Sequence, residues 1–204
     1  MAAAPHLDNQ PAHALPFSSL SFPMPAFKSV LPPLREAAVL VPVYRDAAGR
    51  LRLVLVRRGK GGIHGGQLAF PGGKREVQDT SLQATALRET HEEVGLPIAQ
   101  VQILATLPVI VTMVSSFRIT PFLGHIHPPA RWLLQSSEIA EVLDVEVAEL
   151  LAPETHTTEE WQLPGWASPR PISFYRIGPY ALWGASYRIV QPLLPRLLAG
   201  EWAI

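Results

Sequence analysis

Gly72-Gly73-Lys74-Arg75-Glu76-Val77-Gln78-Asp79-Thr80-Ser81, continued by Leu82 to Leu87 and then Arg88-Glu89-Thr90-His91-Glu92-Glu93-Val94-Gly95-Leu96, decides how this chain is read. The second half has the pattern of a helix. Thr80 is a good N-cap, and Gln83 three residues on completes a capping box. Gly95, with Pro97 beyond it, stops the helix after about Val94. Residues three and four apart on a helix share a face, so Glu89 neighbours both Glu92 and Glu93. Three carboxylates on one face repel one another unless something positive sits among them. Hard divalent cations such as Mg²⁺ or Mn²⁺ bind through carboxylate oxygens and commonly hold substrate phosphates as well. Arg88 is adjacent and could fix one carboxylate by a bidentate pair. Taken alone, the three acids read more readily as a solvated helix face. The tight Gly72-Gly73 turn ahead of the helix shifts that balance, because such a turn can aim a backbone carbonyl at the same ion.

Working outward, Ala37 to Tyr44 is a buried-strand type of run, Asp46-Ala47-Ala48-Gly49 a turn signal, and Leu51 to Arg58 its hairpin partner. Residues 59–66 carry five glycines, a backbone that is exposed or closely approached. Gln67 to Phe70 reads as a short strand before a Pro71-Gly72-Gly73 turn. Val101 to Val111 and Phe117 to Ile126 read as two strands joined at Ser115-Ser116. Glu141 to Val147 reads as another strand, 153–170 as loop, and Pro171 to Ile177 as a late strand. Gly184 to Leu198 is helical in pattern although Pro192 and Pro195 interrupt it. Residues 1–34 hold many of the 21 prolines and read as an irregular arm, whose Phe17, Leu20, Phe22 and Phe27 could dock on a domain spanning 35–204. Strands mixed with two good helices imply an α/β or α+β sandwich.

Composition narrows the chemistry. With 48% hydrophobic and 17% charged residues the chain is globular rather than disordered. Lys+Arg and Asp+Glu are both 17, so nothing forecasts non-specific binding to nucleic acid or to acidic membranes. An anionic substrate must then be met by local positive charge or by metal. The absence of cysteine excludes disulfides, thiolate nucleophiles and Cys-ligated metal, and fits a reducing, cytoplasmic setting. Met1-Ala2-Ala3-Ala4-Pro5-His6 lacks the basic and continuous apolar regions of a signal peptide.

From Gly73 to Leu96 the sequence resembles the signature of Nudix hydrolases: a glycine, an acid six residues on, then Arg-Glu-hydrophobic-x-Glu-Glu-x-Gly-hydrophobic. Asp79 stands where the usual pattern has Glu, the stretch from it to Arg88 is one residue longer, and Thr90 is less apolar than usual. The resemblance implies an α/β fold, a Nudix-type α/β/α sandwich with a mixed sheet and the signature as loop–helix–loop. It implies water attack on a phosphorus of a nucleoside diphosphate linked to another moiety. Glu89, Glu92 and Glu93 would hold Mg²⁺ or Mn²⁺, helped by the Gly73 carbonyl, with Arg88 in the catalytic frame. The proton would go to a glutamate inside the signature or outside it. Glu138 and Glu141 are the outside candidates; each reads equally well as a surface acid before a strand.

The likeness extends further. Leu53 to Arg58, then His64-Gly65-Gly66-Gln67-Leu68-Ala69-Phe70-Pro71-Gly72-Gly73-Lys74-Arg75-Glu76, is similar to the motif ahead of the signature in the coenzyme A pyrophosphatase branch. Thr85-Ala86-Leu87 and the segment Leu182 to Ile189 resemble that branch too. The branch cleaves coenzyme A or its acyl derivatives to 3′,5′-ADP and 4′-phosphopantetheine. Arg57, Arg58, His64, Gln67, Trp183 and Arg188 become candidate substrate contacts, although Trp183 and Arg188 read comparably well as a core tryptophan beside a helix-anchoring arginine. The implied partner is a coenzyme A-like nucleotide, with no nucleic acid and no membrane, and a homodimer is compatible. Three departures stand out: Arg58 replaces a serine, Gly62 an arginine and Glu76 an aspartate. They leave room for another substrate, such as a dinucleotide, an ADP-sugar or a nucleoside triphosphate; a non-catalytic nucleotide-binding module is a third reading, against which the intact Glu89, Glu92 and Glu93 argue. His125 and His127 share a strand face, but a carboxylate site for hard metals needs no imidazole.

Overall fold

β1 (Arg35–Arg45) carries apolar residues on both of its faces, so both faces must be covered. The computed structural model describes residues 33–59, 61, 65–112, 115–135, 137–163 and 165–204. The arm's Phe17, Leu20, Phe22 and Phe27, and Lys60, Gly62 and His64, lie outside the described residues. β1 pairs antiparallel with β2 (Leu51–Arg58) through the expected hairpin, and parallel with β7 (Phe117–Ile126). β2 also carries β3 (Leu68–Ala69) and β8 (Ile139–Glu146), while β4 (Gly72–Lys74) pairs with β1. β5 (Val101–Thr106) and β6 (Ile110–Thr112) both pair with β7. The result is a mixed sheet.

Two helices sandwich it. α1 (Leu82–Val94) buries Ala86 and Val94 against Ala38 and Leu40 of β1, Val54 and Val56 of β2, and Phe122 and Ile126 of β7. α2 (Gly184–Leu198) covers the opposite face, packing Ile189, Val190, Leu193, Leu194 and Leu197 on Val41, Val43, Leu53, Leu55 and Leu123. The period-two alternation of the strands thus sends alternate residues into two separate cores. Pro192 and Pro195 both fall on the exposed face of α2. Each removes a helix hydrogen bond at about 3 kcal/mol. The five buried aliphatic residues, at roughly 1.5–3 kcal/mol each, outweigh them.

Four local expectations are corrected. The N-cap of α1 is Ser81, whose side chain accepts from the Ala84 N–H at 3.0 Å, not Thr80 one residue earlier. The expected strand over 101–111 is two strands, divided at Leu107-Pro108-Val109, because proline has no N–H for the ladder. Within the expected loop, β9 (His156–Trp161) pairs with β10 (Arg170–Ile177), which pairs with β11 (Tyr180–Leu182) in a small second sheet. β9 is a mostly exposed edge strand, so it shows no hydrophobic alternation.

The fourth correction bears on the site. Gly72-Gly73 is strand, not only turn: Val39 opposes Gly72 and Ala38 opposes Gly73. Gly72 has φ +147°, and a Cβ there would lie 2.3 Å from the Ala38 carbonyl oxygen and 2.5 Å from the Val39 Cα. Both contacts are backbone and cannot yield. Gly72→Ala should therefore lower the unfolding free energy by roughly 3 kcal/mol or more. Urea denaturation measures this; a loss below about 1 kcal/mol would mean that β4 is not held against β1 in this way.

Candidate active site

The site is built where β4 passes under α1. Gly73 has no Cβ, and one placed there would meet the Glu89 carboxylate carbon at 2.5 Å. Only glycine lets the Glu89 carboxylate lie this close to the strand. One turn further on, Glu93 is buried, and its Oε2 accepts from the Gly72 N–H at 3.0 Å.

Arg88 ties this arrangement together. Its Nε and Nη2 donate to Oδ1 and Oδ2 of Asp79 at 2.9 and 3.0 Å, a bidentate fork. Nη1 reaches Glu92 Oε2 at 2.8 Å, Nη2 lies 3.0 Å from Glu89 Oε1, and Nη2 also donates to the Lys74 carbonyl at 3.3 Å. Arg88 thus does pair bidentately with a carboxylate, but that carboxylate is Asp79, not one of the helix acids. Asp79 is itself buried; its Oδ2 also accepts from the Thr85 hydroxyl at 2.9 Å and from the Glu76 N–H at 2.8 Å. The Arg88 guanidinium, with these two donors, holds the Asp79 carboxyl well below the usual carboxylate range, and Asp79 in turn raises Arg88. Thr90, at the position where the usual signature is apolar, is buried, and its hydroxyl is satisfied by the Ala86 carbonyl at 2.7 Å.

The helix acids are shifted the other way. Burial pushes the Glu93 carboxyl up to about 7; Glu89 and Glu138 add to the rise, and the Gly72 N–H and Arg58 oppose it. Burial likewise raises Glu89, against the pull of Arg88. Four carboxylates, Asp79, Glu89, Glu92 and Glu93, face the two arginines Arg88 and Arg58. The site's donors are all hard oxygens, and the missing Cβ of Gly73 lets the Glu89 carboxylate lie against the β4 backbone, so the residues present fit a hard divalent cation. Among the described residues no three His, Asp or Glu groups already converge as a metal cage. Arg88 draws Glu89 and Glu92, and the Gly72 N–H draws Glu93.

The other candidates fall into three places. Arg58 Nη1 lies 3.8 Å from Glu93 Oε1. Glu138 stands beside it, its carbonyl accepting from the Gly59 N–H at 2.6 Å, in a loop whose Gln135 N–H is bound by the Glu93 carbonyl at 3.0 Å. Gln67 flanks Arg58, accepting its N–H at 3.0 Å. Arg57 and Glu141 pair with each other, 3.0 Å between Nε and Oε2, beside Tyr180. Trp183 and Arg188 lie on the α2 layer: Trp183 meets Trp161 edge-on at 5.6 Å, and Arg188 donates to the Val111 carbonyl at 2.9 Å, anchoring α2 to β6. The His125 and His127 rings lie 5.5 Å apart on β7 and just beyond it. The sequence reading placed Asp79 in the signature and Thr85 in the branch-like segment without giving either a role in the site, and it did not single out Tyr180.

A family model for the NUDIX domain matches residues 34–169. The chain belongs to the Nudix hydrolase family. As a Nudix hydrolase it is an enzyme, a pyrophosphohydrolase, of a family that generally uses divalent metals such as Mg²⁺ or Mn²⁺. It is 36% identical over 159 residues to a protein named Nudix hydrolase NudL from Enterobacter sp. (strain 638), covering 78% of this chain and 81% of that one. It is 35% identical to the protein of the same name from Citrobacter koseri, with the same coverage. Among solved structures, the Nudix hydrolase RenU from M. smegmatis superposes with a TM-score of 0.58 at 17% identity, over 84% of this chain and 89% of that one. That likeness bears out the α/β Nudix sandwich. Among the described residues no helix is long and apolar enough to cross a membrane.

The Arg88–Asp79 fork yields a prediction for this Nudix hydrolase. Because the native Asp79 carboxyl is depressed, its stabilisation is complete above about pH 4, where an unfolded aspartate is ionised, and fades as pH falls through the native value. Asp79→Asn should cost roughly 3 kcal/mol at pH 7, and the gap to wild type should narrow below about pH 4. Chemical denaturation across pH measures both. A gap that is small, or equal at pH 7 and pH 3, would contradict the fork.

Proposed function

We propose that this Nudix hydrolase cleaves coenzyme A or acyl-coenzyme A to 3′,5′-ADP and (acyl-)4′-phosphopantetheine, using Mg²⁺ or Mn²⁺. The observation that carries the catalytic part is the Glu93 carboxylate, buried beside Gly72 and Gly73 with Glu89 alongside and Arg88 bracing the helix face. The substrate part rests on the likeness of residues 53–76 and 182–189 to the coenzyme A branch.

Glu89, Glu92 and Glu93 are the residues that would hold the ion, with the Gly73 carbonyl. When bound, the divalent cation would polarise the diphosphate and lower the pKa of the attacking water. Water oxygen bonds to one phosphorus, the anhydride P–O bond breaks, and the other phosphate leaves. A glutamate takes the water's proton. Glu138 suits that task better than Glu141. Glu138 lies close enough to Glu93 to raise it, whereas Glu141 is paired to Arg57 and Tyr180, which lower its proton affinity. Arg88 keeps its fork on Asp79, so the helix stays fixed to the loop while the acids change partners. Arg58 supports the alternative of another nucleotide diphosphate: it stands where the branch has serine, and it faces Glu93.

A product-resolved panel decides. Coenzyme A with Mn²⁺ should release 3′,5′-ADP; much faster cleavage of ADP-ribose or a dinucleotide would overturn the coenzyme A assignment. Glu93→Gln should lower kcat on the order of 10³-fold in a folded protein. Retention of most activity would overturn the metal assignment.

A further inference from the structure

Consecutive residues of a strand point to opposite faces, and β2 ends on two arginines. Arg58 turns to the α1 face, toward Glu93. Arg57 turns to the other. There its Nε donates to Glu141 Oε2 at 3.0 Å, and its guanidinium carbon lies 5.3 Å from the centroid of the Tyr180 ring. The Tyr180 hydroxyl donates to the same Glu141 Oε2, also at 3.0 Å. Three strands, β2, β8 and β11, thus supply one side chain each to a small polar cluster.

The cluster orients Arg57 from one edge only. Among the described residues neither Nη group donates to a carboxylate, the Tyr180 hydroxyl draws on the guanidinium as well, and the side chain is 24% exposed. A surface Arg–Glu pair ordinarily contributes little and leaves both side chains free to rotate. Here one carboxylate oxygen takes two donors, and an aromatic ring lies against the guanidinium, so the plane of Arg57 is set before any ligand arrives. A guanidinium whose carboxylate partner is held through Nε, leaving the Nη edge clear of carboxylates, is the geometry that receives a phosphate monoester bidentately. Setting it in advance reduces the ordering cost of binding. The placement suits a second phosphate: Arg58, the next residue on the strand, overlooks the carboxylates, so a nucleotide whose diphosphate lies at those acids has the end of β2 beside it.

We infer that Arg57 receives a phosphomonoester of the substrate remote from the scissile diphosphate, and that Glu141 and Tyr180 are positioning residues that set its plane. This rests on the proposed function, in which that group is the 3′-phosphate of the adenosine moiety. It gives Glu141 a role other than general base.

Adenosine 3′,5′-bisphosphate and AMP differ by that one phosphate. Calorimetric titration of the full chain should find the bisphosphate preferred by roughly tenfold or more. Arg57→Ala should bring the ratio of affinities close to one. Arg57→Lys, which keeps the charge and loses the fork, should fall short of wild type, and Tyr180→Phe and Glu141→Gln should each lower the ratio in part while the melting temperature stays near wild type. Equal or absent binding of both nucleotides by the wild type, or an unchanged ratio in Arg57→Ala, overturns the inference. A full ratio in Arg57→Lys, or in both Tyr180→Phe and Glu141→Gln, overturns the positioning role. Coenzyme A hydrolysis followed in parallel separates the two proposals. If the wild type does not cleave coenzyme A, the proposed substrate is wrong; if it does, with a phosphate preference independent of Arg57, only this inference fails.

Discussion

The fork between Arg88 and Asp79 is the interaction on which the rest of the site depends. It joins the loop after β4 to the middle of α1, and the same guanidinium also reaches Glu89, Glu92 and the Lys74 carbonyl. Without it, Glu89 and Glu92 would lose the cation that offsets the repulsion among acids sharing one helix face. At a separation of 4 Å near a protein surface that repulsion is about 4 kcal/mol per pair. Asp79, Glu89, Glu92 and Glu93 face Arg88 and Arg58, four acids against two cations, so two negative charges remain when all the acids are ionised. An excess of that size is what a divalent cation neutralises; burial is the main cause that raises the Glu89 and Glu93 carboxyls, and neighbouring acids add to it.

The sheet supplies the second constraint. β1 is buried on both faces, and Gly72, pressed against Ala38 and Val39, brings the backbone of β4 directly under α1. Strand alternation then divides the end of β2: Arg58 belongs to the carboxylates and Arg57 to the Glu141–Tyr180 cluster. Two neighbouring arginines of identical chemistry therefore stand in different environments.

Much of this was legible in the sequence. The helix ending at Gly95, the acid face at 89, 92 and 93, and the two-faced strand at 37–44 follow from local periodicity and cap chemistry, and they are found as expected. The partner of Arg88 was not legible, because Asp79 is brought to it by a turn in which the Asp79 N–H binds the Glu76 carbonyl at 3.1 Å. Loop geometry of that kind leaves no periodic trace. Tyr180 was invisible for a related reason: β11 is three residues long, and its contact with Arg57 is purely tertiary. β9 was hidden by its exposure, since His156 to Trp161 is too polar to look like a strand. The N-cap differed by one residue because Thr80 and Ser81 are chemically equivalent caps, and only the backbone chooses between them.

The claim that a divalent cation takes the helix acids while Arg88 stays on Asp79 is tested most directly by anomalous diffraction from crystals grown with Mn²⁺. The expected result is an anomalous peak coordinated by Glu93 and Glu89, with both oxygens of Asp79 still on the Arg88 guanidinium. A peak elsewhere on the protein, with Glu89 and Glu92 still paired to Arg88, would contradict it.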